Sequence, residues 1–135
     1  MTDKPAMKIS ATMVKYYLSY LTVGWFGEHD APPEEAAEIA PIARNIQVLA
    51  NGAGDLVWLR TGLEALLTDP QAPLMEFDGG QYPFSRSGLL EVLAMLWEQL
   101  APGTPLDAPG EGPRVEWVDM TAAEWIAFKQ RLADD

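Results

Sequence analysis

At 135 residues, with 48% hydrophobic and 21% charged side chains, the chain has the size and balance of one folded domain that can bury a core without metals or cross-links. It contains no cysteine, which excludes disulfides, thiol catalysis, zinc–thiolate sites and iron–sulfur clusters, and the absence of any oxidising-compartment signal favours a cytoplasmic location. The net charge of −11 opposes direct contact with nucleic acid or an anionic membrane and suits a basic protein partner.

The distribution of charge says more than its total. No Lys or Arg occurs from Tyr16 to Ala43, from Thr61 to Ser85, or from Ser87 to Pro113, while acids occur throughout these stretches. Few carboxylates therefore have a cation nearby in sequence. The longest purely apolar run, Val92 to Trp97, falls far short of the roughly 20 residues that span a bilayer. No targeting segment is visible, because no apolar region follows Lys4 and Lys8.

In chain order, residues 1–9 read as a flexible, mildly basic N-terminal tail, and residues 10–135 as a single globular domain. Ser10–Val23 carries Lys15, Ser19 and Thr22 on one helical face and predicts a first helix, closed by Gly24 and Gly27 around Trp25-Phe26. A second helix is expected to start near Pro33, with Glu34, Glu35 and Glu38 favourably placed at its positive end. Pro41 must kink or restart it. Its inward stripe is Ile39, Ile42, Ile46 and Leu49, and Asn51-Gly52 ends it. Residues 55–68 read as a helix capped by Asp55. Leu56–Arg60 as a short strand before a shorter helix is the alternative.

Leu74–Phe77 and Gln81–Phe84, joined by Asp78-Gly79, predict a hairpin whose second arm Pro83 confines to an edge. Gly88–Leu100, capped by Ser85 or Ser87, is the most apolar helix, so it is either central in the core or half covered by a partner. Residues 101–113 are a mobile Pro/Gly loop. Arg114–Val118 alternates as a strand that could join the hairpin. Thr121-Ala122-Ala123-Glu124 is a capping box opening a last helix with Trp125, Ile126, Phe128 and Leu132. The sum is an α+β fold, mostly helical, with about five helices and a small two- or three-stranded antiparallel sheet.

No catalytic motif of any specificity is present. His29 is the sole histidine, so any histidine mechanism must use it. Glu28-His29-Asp30 reads as a solvated turn, because adjacent residues rarely converge on one metal. Gly52-Ala53-Gly54 lacks the companions of a phosphate loop and reads as helix termination. The chain is expected to be no enzyme and to hold no cofactor or metal.

Exposed aromatics ringed by acids would make a protein-binding patch of apolar anchors and charged rim. The candidate partner-binding residues are Trp25, Phe26, Glu28, Asp30, Glu34, Glu35, Glu38, Asp78, Tyr82 and Phe84. The expected function is a non-enzymatic acidic interaction domain docking on a basic partner. An inhibitor, an immunity protein or a nucleic-acid mimic would act in this way. The alternative is a homo-oligomeric structural or assembly accessory protein of bacterial or phage origin, suggested by the apolar helix at 88–100.

Overall fold

In a computed structural model, which describes residues 7–134, the chain is mostly helical with a two-stranded sheet. The first strand, β1, is Met7–Ser10, so residues 7–9 of the segment read as a tail are paired backbone; the rest of that segment lies outside the described residues. Ser10 then caps helix α1, Ala11–Thr22, by accepting from the Met13 N–H at 3.1 Å. This satisfies one of the first-turn donors that a helix leaves unpaired. A 3-10 turn, Trp25–Gly27, follows.

The second helix does not start at Pro33. A 3-10 turn, Ala36–Ile39, comes first, and α2 runs Ala40–Gly52 with Pro41 in its opening turn, where the missing N–H costs nothing. Pro41 thus restarts the helix. The inward stripe is also rotated from its expected position. Ile39, Ala43, Ile46 and Ala50 are buried, Ile42 is half-buried, and Leu49 is exposed.

Helix α3, Leu56–Thr68, settles the ambiguity at 55–60 in favour of helix. Helix α4, Arg86–Leu100, is capped by Ser85, whose Oγ accepts from Gly88 N at 3.0 Å. It packs against α2 and α3, and Leu89, Val92, Leu93, Leu96, Trp97 and Leu100 are all buried. Most of its apolar circumference is therefore covered within the chain, with Leu90, Ala94 and Met95 half-buried. Helix α5, Ala122–Asp134, opens on the expected box: Thr121 Oγ1 accepts from Glu124 N and Glu124 Oε1 from Thr121 N, both at 3.1 Å.

The hairpin is absent. Leu74–Phe77 is a 3-10 turn that buries Leu74 and Phe77 together. A spacing of three brings two side chains to one side of a tight helical turn, whereas a strand would send them to opposite faces. Strand β2, Val115–Val118, pairs instead with β1, in parallel, with Met7 opposite Val115 and Ile9 opposite Trp117. The sheet is therefore parallel, not antiparallel. Parallel strands need a long crossover, and here the whole helical body forms it. The ladder staples the two ends of the chain together.

The loop at 101–113 has no regular structure and is mostly exposed. It is tied at two points: Thr104 O accepts from the Trp97 indole at 2.9 Å, and Gly110 N donates to Thr68 O at 2.8 Å. None of the described helices is long and apolar enough to cross a membrane.

The turn after Phe77 is packed against the end of α1. Gly79 has φ +80, and a Cβ there would lie 2.5 Å from Thr22 Oγ1. Gly79→Ala should therefore lower stability by at least about 1–2 kcal/mol from backbone strain alone. Urea unfolding checks this; an unchanged midpoint would mean that this turn is not seated on Thr22.

Candidate functional site

Two surfaces qualify as functional sites. The first holds the residues singled out from sequence. Trp25 is buried, and its indole N–H donates to Ala31 O at 2.7 Å. The His29 ring stacks on it, 3.7 Å between centroids and 5° from parallel. His29 Nδ1 donates to Trp25 O at 2.9 Å, since a carbonyl can only accept. Both residues are thus spent on holding the turn. Among the described residues, no three His, Asp or Glu side chains gather closely enough to hold a metal ion.

Phe26, Tyr82 and Phe84 are brought together although about 55 residues separate them in sequence. Phe26 and Tyr82 stack at 4.7 Å, and Phe84 meets both edge-on at 5.7 and 4.9 Å. Phe84 is buried, while Phe26 and Tyr82 stay half-exposed. Asp78 does not join this cluster as a free acid, because its Oδ1 accepts from Gly80 N at 2.9 Å and shapes the turn.

The acids of residues 28–38 divide the same way. Glu38 is exposed, but its Oε1 accepts from the N–H groups of Glu34 and Glu35, both at 3.0 Å, and the Glu35 side chain accepts in return from the Glu38 backbone, so the two form a capping box that orders their own turn. Glu28, Asp30, Glu34 and Glu35 are exposed and, among the described residues, stand in no ion pair. Among the described residues, no lysine or arginine lies within ion-pair distance of them.

The second surface was not foreseen. Asp55 lies at the turn between α2 and α3 and occupies the cap position of α3, yet its side chain caps nothing. It is only 5% exposed. Three donors converge on it: the Tyr17 hydroxyl from α1 at 2.7 Å, the Trp125 indole from α5 at 2.8 Å, and the Lys129 ammonium, also from α5. Lys129 also donates to Ala53 O at 2.9 Å and lies over the Trp125 ring. Charge-assisted bonds of this kind are the strong class, and the carboxylate needs them all, because an unpaired buried charge is very costly.

A groove of about 730 Å³ opens above this cluster, lined by residues of α1 and α5 together with Ala53 and Gly54. Burial and the Asp55 carboxylate push the Tyr17 hydroxyl well above the ordinary tyrosine range, since both oppose a phenolate. The sequence signal for this cluster was faint. Trp125 and Lys129 share a helix face at i and i+4, but nothing local points to Asp55 as their partner.

Removing the cation strands a buried carboxylate. Lys129→Met should cost about 3 kcal/mol, and Asp55→Leu with Lys129→Met should cost less than the two single changes summed. Urea unfolding of the four proteins measures this. The Tyr17 shift also carries a sign. A folded-state value raised above the unfolded one adds stability that is fully present below the ordinary value of 10.0 and is lost as pH rises past it. Tyr17→Phe should therefore be less stable at neutral pH and lose stability less steeply above pH 10; parallel profiles would refute the assignment.

No family model, no curated protein and no solved structure matches the chain, so its function is read from this geometry.

Proposed function

We propose that the chain is a non-enzymatic, acidic protein-interaction domain that docks on a basic partner through residues 26–35 and the neighbouring aromatic stack. One observation carries this reading: Glu28, Asp30, Glu34 and Glu35 are exposed and, among the described residues, without ion-pair partners, in one short segment that also bears Phe26. Phe26 is held against Tyr82 and Phe84, so the aromatic patch is ordered before a partner arrives. Ordered aromatics with a charged rim are the usual anatomy of a protein interface. Order in advance reduces the entropy lost on binding.

The uncompensated charge of −11 would steer a basic surface toward this edge and make association salt-sensitive. Inhibition of a nuclease, immunity against one, or occupation of a nucleic-acid groove as a charge mimic are forms that such docking takes. The homo-oligomer alternative rested on the apolar helix at 88–100. Burial of α4 within the chain accounts for that helix without a second copy.

The test compares the natural protein with a variant carrying Glu28→Gln, Asp30→Asn, Glu34→Gln and Glu35→Gln. These positions are exposed, so the fold should survive, as circular dichroism can verify. A genuine partner should be retained at low salt by the natural protein alone. It should be released near 1 M salt, where screening shortens the Debye length to about 3 Å. Equal capture by both proteins, or capture indifferent to salt, would refute the reading. Tyr82→Ala should weaken the same capture about tenfold or more if the stack is an anchor.

A further inference from the structure

The groove between α1 and α5 has a chemistry distinct from that of the acidic edge. Its volume of about 730 Å³ is that of a small-molecule site, which typically spans about 300–1,000 Å³. Met13, Met120, Ile126 and Ala133 contribute apolar surface, and thioether side chains adapt to irregular ligands. Its charged groups are Asp55 and Lys129, and Thr12, Tyr16 and Gln130 add uncharged polar side chains to its lining.

The charge state of that polar side selects the ligand. The Asp55 carboxylate is already served by Tyr17, Trp125 and Lys129. An incoming ammonium would therefore find no free anion there. Lys129 is neutralised by Asp55, and a ligand carboxylate would have to compete for it inside a chain of net charge −11. An ammonium has three N–H donors, however, and Lys129 spends them on Asp55 and Ala53 O, leaving one. Its side chain is 16% exposed, so this donor can be reached. The groove thus presents a largely apolar body, the remaining Lys129 N–H and the uncharged polar side chains of Thr12, Tyr16 and Gln130, with no net charge.

We propose that this groove binds a neutral amphiphile, an alkyl or aromatic body bearing an uncharged acceptor such as an alcohol, ester or amide oxygen that meets the remaining N–H of Lys129. The apolar part lies along Met13, Met120 and Ile126. Ile126 is 51% exposed, and an occupant that covers it removes apolar surface from water.

The test uses N-phenyl-1-naphthylamine, an uncharged dye that brightens in apolar sites. It is displaced in turn by three ligands with the same ten-carbon chain: decanol, decanoate and decyltrimethylammonium, each below its aggregation limit. Decanol should displace the dye at a concentration about tenfold below either charged ligand. Ile126→Glu, and independently Ala133→Trp, should each weaken dye and decanol binding about tenfold. Both residues are exposed, so neither change should unfold the chain. Absence of dye binding, equal potency of a charged ligand, or indifference to both substitutions would overturn the proposal. Co-sedimentation of the protein with phosphatidylcholine vesicles would also overturn it, by replacing a soluble ligand with a lipid surface.

Discussion

The carboxylate of Asp55 accepts hydrogen bonds from Tyr17 in the first helix and from Trp125 and Lys129 in the last, while its own backbone begins α3. One buried anion thereby ties the two ends of the chain to its middle. The parallel ladder of β1 and β2 joins the same two ends through backbone bonds. These two links matter because α5 contributes little else to the core: Trp125 is its one buried residue, and Phe128 only half covers itself against Trp58. A helix with so small a buried face depends on specific polar contacts to stay in place, since packing supplies most helix stability in proteins. The interaction is also fragile by nature, because any loss of a donor leaves charge where water cannot reach it.

The groove exists because of this arrangement. Asp55, Trp125 and Lys129 hold α5 at its buried face, while Ile126, Gln130 and Ala133 border the space beside α1. The same cluster that fixes the helix therefore supplies the polar end of a cavity and cancels its charge. The acidic edge follows a different logic. There the fold uses Trp25, His29 and the Glu35–Glu38 capping box for internal order and leaves the carboxylates of residues 28–35 exposed to water. Water solvates exposed like charges at small cost, and the unbalanced field reaches outward to a partner. One site is screened and neutral; the other is open and anionic.

Much of the fold was legible in short-range patterns. Ser85 and the Thr121–Glu124 box mark helix starts by local hydrogen bonds, and Pro41 restarts α2 because a proline cannot donate. Leu74–Phe77 misled because its aromatic and apolar content suits a strand, while its buried pair falls at a spacing of three. The stripe of α2 was displaced because alanine carries almost no hydropathic signal, yet Ala43 and Ala50 are buried. At the candidate interface the acids and aromatics could be named from sequence, but nothing local to either segment showed that Phe26 meets Tyr82 and Phe84.

By itself the sequence determined the acidity, the lack of thiol chemistry, the positions of most helices and the stretches in which no cation is close along the chain. These are properties of composition and of neighbours within a turn or two. Tertiary structure alone decided that β1 meets β2 in parallel, that Asp55 turns inward, and that no cation among the described residues pairs with the acids of residues 28–35. Those outcomes pair groups tens of residues apart, as in the 74 positions between Asp55 and Lys129. Such pairs form because burial punishes an unmatched polar group far more than any local preference rewards its sequence position.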